Sequence, residues 1–198
     1  MKILVTGFEP FGSDTYNPSM EVLKLLEAES DDLQIETAVI PVAKGNAEEA
    51  IIRKMESVHP AYVIMLGLAG GRKGITVERT AINIDDFRIP DANGITLHDE
   101  PIDSAGPAAY FSGLPYRDMI AAMKEAGFDA ALSESAGTYI CNHVFYALSN
   151  YISKHHLPVR CGFIHLPYEE SMGYDDRPSM KLEEMGKALC AALRILNK

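Results

Sequence analysis

Residues 61–67 are a continuous apolar run, Ala-Tyr-Val-Ile-Met-Leu-Gly, with no charged side chain in it. Such a strand is stable only where helices cover both faces of its sheet, which is typical of parallel sheets in α/β proteins. Residues 2–8, 35–42 and 159–165 are predicted as further strands. Because segments with helical periodicity separate these runs, the sequence predicts an α/β fold with helices on both faces of a mixed, mostly parallel sheet.

Five helices and one irregular region are predicted among these strands. The helices begin at Asn17-Pro18, occupy residues 46–58, begin at Leu114-Pro115, begin near Thr138, and begin at Pro178 or Ser179. The pattern at residues 76–84 suggests a strand, whereas residues 85–107 are polar, rich in proline, and form a long loop. No repeat and no linker divides the chain, so residues 1–198 are predicted to be one domain.

Composition excludes several function classes. The formal net charge of −10 argues against a nucleic-acid surface, which needs a basic face. The sequence predicts no signal peptide, and no stretch approaches the 18 or so apolar residues of a membrane span. The cysteines, Cys141, Cys161 and Cys190, are odd in number and lack the spacing of metal ligands, which predicts reduced thiols in a cytoplasmic protein without a metal site.

Cys141 is the first candidate for chemistry. It lies just after a glycine-containing loop, and apolar residues recur at helical spacing from it onward. With Thr138 as the best N-cap candidate, Cys141 falls in the first turn of a helix. Free backbone N–H groups and the helix dipole there favour the thiolate. A buried core cysteine is the alternative interpretation.

A cysteine nucleophile needs a base within hydrogen-bond reach. His165 ends a predicted strand, and ligands of open α/β sheets gather at the carboxyl ends of strands, where the strand before Cys141 is also expected to end. His143 is two residues from Cys141 on the same helix and points away from it. His165 is therefore the predicted base, while His98 in the long polar loop stays open.

The third member of such a site is a carboxylate that orients the imidazole. Pattern alone does not choose among the candidates, which are Glu78, Asp85, Asp86, Asp91 and Glu134.

The loop after the first strand carries two phenylalanines, Phe8 and Phe11. They are interpreted as walls of a ligand pocket, with ordinary core packing as the alternative. Gly7 and Gly12 have the separation found in phosphate-binding loops. That interpretation is rejected, because Ser13-Asp14 stands where the motif needs Lys and Ser or Thr.

Five motifs resemble those of pyroglutamyl peptidase type I, also called pyrrolidone-carboxylate peptidase, in the same order along the whole chain. They are residues 6–12 (TGFEPFG) with Asn17-Pro18, residues 69–72 (AGGR) with Glu78-Arg79, residues 88–91 (RIPD), residues 135–138 (SAGT) with Cys141-Asn142-His143, and residues 162–165 (GFIH).

The resemblance implies an enzyme that removes an N-terminal pyroglutamyl residue from peptides with a Cys, His and Glu triad and no cofactor or metal. It places the nucleophile on Cys141, the base on His165 and the orienting carboxylate on Glu78. It places the oxyanion site on Arg88 and the backbone N–H of Cys141, and substrate contacts on Phe8, Phe11, Asn17, Leu68, Ile89, Tyr139 and Ile140. It further implies a homotetramer with an α/β/α sandwich of the phosphorylase/hydrolase-like type.

One residue departs from the family pattern. Leu68 lies where many members have glutamine before Ala-Gly-Gly-Arg, which matters only if that side chain recognises the lactam. Two rival functions are a phosphate-dependent transferase, by a shared fold with nucleoside phosphorylases, and a non-catalytic binder of capped peptides. The first has no use for Cys141, and the second leaves a whole triad unexplained.

Overall fold

The protein is described by a computed structural model that covers residues 1–12, 14–29 and 33–197. Ser13, which belongs to the rejected phosphate-loop interpretation, lies outside these ranges. The strands are β1 Lys2–Phe8, β2 Gln34–Ile40, β3 Tyr62–Leu68, β4 Ile75–Glu78, β5 Thr80–Ile82, β6 Ala109–Phe111, β7 Ala130–Ser133, β8 Arg160–Leu166, β9 Tyr168–Glu169 and β10 Ser179–Met180. The α-helices are α1 Pro18–Glu29, α2 Asn46–Val58, α3 Tyr116–Glu125, α4 Ile140–Lys154 and α5 Leu182–Arg194.

Six strands form the main sheet in the order β2-β1-β3-β8-β4-β7. The pairs among β2, β1, β3 and β8 are parallel, β8 pairs with β4 antiparallel, and β4 pairs with β7 parallel. The sheet is therefore mixed and mostly parallel, as predicted. As the apolar run indicates, β3 lies at its centre with Val63, Ile64, Met65 and Leu66 fully buried.

Two apolar clusters cover the two faces of the sheet. One joins side chains of α1, α3 and α5 to the sheet, and the other joins α2 and α4 to it. Since successive residues of a strand point to opposite faces, β3 contributes Ile64 to the first cluster and Met65 to the second. These layers confirm the predicted α/β/α arrangement.

All five predicted helices are present, but the last one begins later than predicted. Helix α2 spans the predicted residues, and α1 begins at Pro18 with Asn17 Oδ1 accepting the Ser19 N–H at 3.0 Å. The last helix begins at Leu182 and not at Pro178 or Ser179, because Ser179–Met180 form a short strand with β9. Each helix in the described ranges is too short or too polar to cross a membrane.

Two strand predictions need correction. The strand predicted over residues 76–84 breaks at Arg79, because Arg79 N–H bonds to Ser133 on one side and its carbonyl accepts from Ser112 on the other. The chain thus passes from the main sheet into a small β5–β6 sheet. Strand β7 runs antiparallel to β8, so its carboxyl end and that of β8 lie at opposite edges. The prediction that both strands end at one edge of the sheet is therefore wrong.

Candidate active site

Cys141 is the second residue of α4, in the first turn as predicted. The N-cap is Tyr139, with an extended backbone at φ −98° and ψ −167°, and not Thr138. The Thr138 hydroxyl donates instead to the Asp86 carbonyl at 2.9 Å. It therefore stabilises a neighbouring loop and does not cap the helix.

The Cys141 thiol lies over the carboxyl end of β3. A Cβ built on Gly67 would approach Cys141 Sγ to 3.0 Å and the Phe163 ring to 2.8 Å, so only glycine leaves room for the sulfur there. Gly67 is the register partner of His165 on the adjacent strand, and paired residues share a face of the sheet. Cys141 and His165 therefore meet on one face, although the sulfur reaches it through α4 and not through the end of β7.

His165 is held by a buried carboxylate. Its Nδ1 donates to Glu78 Oε1 at 2.7 Å, and the two residues are only 4% and 0% exposed. Arg72 Nη1 donates to the same Glu78 oxygen at 2.6 Å and also contacts the Thr76 hydroxyl. Among the carboxylates that sequence pattern left open, Glu78 is the one in contact with His165.

Burial dominates the electrostatics of the thiol. It raises the pKa of Cys141 to about 12, with the Glu78 charge adding to the rise and the Arg72 charge opposing it. The residue as a whole is half-buried. The helix start favours the thiolate, but desolvation disfavours this charged form more strongly, so the predicted thiolate does not form in the resting site.

The imidazole is neutral for the same physical reason. Burial lowers the pKa of His165, and the hydrogen bond and charge of Glu78 only partly offset it. Burial alone would raise the pKa of Glu78, but the hydrogen bond to His165 and the charge of Arg72 lower it overall. The resting site thus holds a thiol, a neutral imidazole and a carboxylate, with Arg72 balancing the carboxylate charge.

A cavity of about 140 Å³ opens beside the thiol. It is lined by Phe8, Phe11, Asp14, Tyr16, Asn17, Val42, Leu68, Tyr139, Ile140 and Cys141. Pockets for drug-sized ligands measure roughly 300–1,000 Å³, so this one admits only a small group. Among the lining residues that the structure describes, Asp14 is the only carboxylate, and it is exposed at the rim.

Six of the seven predicted substrate contacts line this cavity. They are Phe8, Phe11, Asn17, Leu68, Tyr139 and Ile140. Ile89 does not line it and is 54% exposed, and Arg88 beside it is exposed as well. Both lie on the loop segment that the Tyr139 hydroxyl fastens by donating to the Pro90 carbonyl at 3.0 Å.

Sequence reasoning missed other residues around the site. Asp14, Tyr16 and Val42 line the cavity, and Arg72 forms an ion pair with Glu78. Arg72 was visible as the end of the Ala-Gly-Gly-Arg motif, which was the one available signal. Tyr16 and Val42 gave none, because ordinary loop and strand residues carry no mark of facing a cavity.

The remaining candidate residues lie elsewhere. His98 contacts Asp86 at the surface, and Glu134 pairs with Arg79 at the surface. Asp85 contacts His143, which lies away from the thiol as predicted, and Asp91 accepts from backbone N–H groups of Lys44, Asn93 and Ile95. Over residues 1–12, 14–29 and 33–197 no group of three or more His, Cys, Asp or Glu side chains could hold a metal ion.

Comparison with known proteins gives one consistent result. A family model described as pyroglutamyl peptidase matches residues 1–198. Pyrrolidone-carboxylate peptidase 1 of Caldanaerobacter subterraneus subsp. tengcongensis is 45% identical over 200 residues, which cover 100% of this chain and 98% of that protein. The pyrrolidone-carboxylate peptidase of Fusobacterium nucleatum is 43% identical over 197 residues, covering 98% and 92%.

Solved structures agree in fold. Pyroglutamyl peptidase I of Bacillus amyloliquefaciens superposes with a TM-score of 0.92 at 41% identity, over 96% of this chain and 94% of that one. A mutant pyrrolidone carboxyl peptidase of Pyrococcus furiosus gives 0.94 at 38% identity, over 100% and 99%. These matches cover all or nearly all of the chain, and the structure brings a thiol, an imidazole and a carboxylate onto one face of the sheet. The chain therefore belongs to the pyroglutamyl peptidase family.

Proposed function

We propose that this chain, as a single catalytic domain over residues 1–198, is a cysteine exopeptidase that hydrolyses an N-terminal pyroglutamyl group from peptides. The observation that carries the proposal is the Glu78–His165 pair beside the Cys141 thiol, at the side of a small apolar cavity. Family membership and the names of the relatives support the same activity.

The reaction proceeds by acyl transfer through the thiol. His165 Nε2 takes the thiol proton as the sulfur attacks the pyroglutamyl carbonyl carbon, and Glu78 stabilises the imidazolium that forms. The carbon–nitrogen bond then breaks, and His165 gives the proton to the leaving amine. Water attacks the resulting thioester with His165 again as base, which releases pyroglutamate and restores the thiol.

The oxyanion of each tetrahedral intermediate needs donors that are already in place. The backbone N–H of Cys141, in the first turn of α4, is one of the N–H groups that a helix leaves without an internal partner. Arg88 is proposed as the second donor. Its side chain makes no hydrogen bond or ion pair within the described ranges, so it is available to the substrate.

The cavity suits a small, neutral, flat ring. Phe8, Phe11 and Tyr139 supply aromatic walls, with Phe11 and Tyr139 centred 6.2 Å apart. Burial raises the pKa of Tyr139 to about 12, so its hydroxyl stays neutral. A lactam has one donor and one acceptor to satisfy and no charge, whereas an open-chain amino terminus brings an ammonium that the apolar walls cannot pair.

The proposed setting follows from the same family membership. Pyroglutamylated peptides are the substrates, without nucleic acid, membrane or cofactor, in a cytoplasmic homotetramer. The direct test is release of a fluorescent amine from its pyroglutamyl amide by the purified chain, in buffer without phosphate. Turnover supports the peptidase, and turnover only after phosphate is added would support the transferase instead.

The pH dependence of kcat/KM is expected to report the environment of His165. Because burial lowers the pKa of this base, the acid limb of the profile should lie below the ordinary histidine value of about 6.5. The Arg72 charge also lowers that pKa, so Arg72→Gln should move the acid limb to higher pH. Profiles of wild type and variant check this, and a limb that stays in place or moves to lower pH contradicts it.

Metal chelators are expected to leave activity unchanged, because every group in the proposed mechanism is a protein side chain or a backbone N–H. Incubation with EDTA followed by dialysis and assay checks this. Loss of activity that a divalent cation restores would contradict it.

A further inference from the structure

His143 is a buried histidine for which the proposed reaction has no use. It lies two residues after Cys141 and is 2% exposed. Its Nδ1 lies 3.0 and 2.9 Å from the two carboxylate oxygens of Asp85, and its Nε2 lies 3.0 Å from Glu48 Oε1. An ionised carboxylate only accepts hydrogen bonds, so both ring nitrogens carry a proton and the ring is an imidazolium.

Lys44 extends this cluster to the loop that carries Arg88. Lys44 Nζ donates to Asp85 Oδ2 at 2.9 Å, and the backbone N–H of Lys44 donates to Asp91 Oδ2 at 2.8 Å. Asp85 and Asp91 are fully and almost fully buried and stand at the two ends of the same short loop segment. The cations of His143 and Lys44 thus hold Asp85 at one end of that segment, and the backbone N–H of Lys44 holds Asp91 at the other.

The segment between those ends, residues 86–90, lies along the residues that precede Cys141. Asp86 N–H donates to the Thr138 carbonyl at 2.9 Å, and the Thr138 hydroxyl returns a bond to the Asp86 carbonyl. The buried Phe87 ring meets the Tyr139 ring edge-on at 5.1 Å. Arg88, Ile89 and Pro90 are the exposed part of the segment, so their position depends on how the two ends are held.

We propose that His143 is a positioning residue for the peptidase reaction, in which its positive charge holds Asp85 and thereby fixes residues 86–90, with Arg88, beside the start of α4. The inference rests on the proposed function, because the benefit to catalysis is the placement of an oxyanion donor. A misplacement of such a group by about 1 Å can lower the rate by roughly 100-fold.

The charges around His143 make the arrangement sensitive to pH. Asp85 faces His143 from the loop, Glu48 faces it from α2, and Lys44 lies in the turn before α2. A cavity of about 460 Å³ adjoins this cluster, and the ion pair of Asp103 and Lys154 lines that cavity. Burial alone would lower the pKa of His143, but Asp85 and Glu48 outweigh it and raise the pKa to about 9. The imidazolium and the contribution it makes to stability are therefore complete below about pH 6.5 and lost as pH rises through about 9.

His143→Gln tests the proposal by kinetics and by hydrogen exchange. We expect kcat to fall roughly 10- to 100-fold with KM changed little, because the donor acts on the transition state. The wild-type profile of kcat should also decline at a midpoint of about pH 9, and the variant should lack that decline. Backbone amides of residues 86–91 should exchange faster in the variant, whereas those in the middle of α4 should not.

Two further variants separate positioning from general loss of structure. His155→Gln makes the same substitution at the exposed end of the same helix and should leave kcat and exchange unchanged. Lys44→Met removes only the side-chain donor to Asp85 and should reproduce a smaller part of both effects, even if His143→Gln does not fold.

The proposal is overturned if His143→Gln has wild-type kcat and wild-type exchange over residues 86–91. If His143→Gln does not fold, the same result for Lys44→Met overturns it. A lower kcat without faster exchange in that segment also overturns it. Hydrogen exchange does not depend on the substrate, so a chain inactive on pyroglutamyl amides would refute the proposed function, while the exchange result would still decide whether His143 holds the segment.

Discussion

Cys141→Ala is expected to abolish release of a fluorescent amine from its pyroglutamyl amide while the protein stays folded. The substitution removes the atom that forms the acyl-enzyme, and loss of the nucleophile in a serine peptidase lowers kcat by about 10⁶. Alanine is smaller than the cysteine it replaces beside Gly67, so the substitution introduces no clash there. The measurement is kcat/KM beside a thermal unfolding curve.

The matched controls are the other two cysteines. Cys161 and Cys190 are buried in the apolar clusters on opposite faces of the sheet. Burial raises the pKa of Cys161 to about 11, and its sulfur contacts the Ser149 hydroxyl at 3.3 Å. Cys161→Ala and Cys190→Ala are expected to keep turnover, with effects confined to stability. Full activity in Cys141→Ala would end the thiol mechanism.

Pyroglutamyl amides are expected to be cleaved far faster than prolyl amides, by roughly 10⁴-fold in kcat/KM. A site built to hydrogen-bond a substrate group rejects analogues that lack the group by about that factor. Proline keeps the ring but lacks the lactam carbonyl, and it brings an ammonium against Phe8, Phe11 and Tyr139. Cation–π attraction returns only about 0.5–2 kcal/mol, which is too little to reverse a difference of that size.

Two features of the cavity make this selectivity worth measuring. Asp14 can attract an ammonium, but it is exposed at the rim, where such a pair contributes little. Leu68, the one residue that departs from the family pattern in the sequence, lines the cavity. If backbone groups recognise the lactam, Leu68→Gln should keep the preference. Cleavage of the prolyl amide within tenfold of the pyroglutamyl amide would contradict the proposed specificity.

The residues differ in how far the sequence could predict them. Cys141 and His165 carry local marks, namely a helix start after a glycine loop and the end of a buried strand. Glu78 carries none and was assigned only by resemblance, because its contact with His165 depends on the pairing of β4 with β8, strands far apart in the chain. The same pairing made β7 antiparallel to β8, which the periodicity of short strands cannot reveal.

The charge state of the site was the other property beyond the sequence. A helix start favours a thiolate, yet burial of Cys141 decides its pKa, and burial is a property of the whole fold. Likewise, the spacing of His143 from Cys141 correctly indicated that it points away from the thiol. Its partners Asp85 and Glu48 come from distant segments that only the folded chain brings together.

The most direct test of the central claim is covalent labelling with a chloromethyl ketone that carries a pyroglutamyl group, followed by peptide mapping. We expect one label per chain, on Cys141, with activity lost in proportion to labelling and with the prolyl analogue much slower. Labelling of Cys141 to completion with activity retained, or complete inactivation with the label on another residue, would contradict the account.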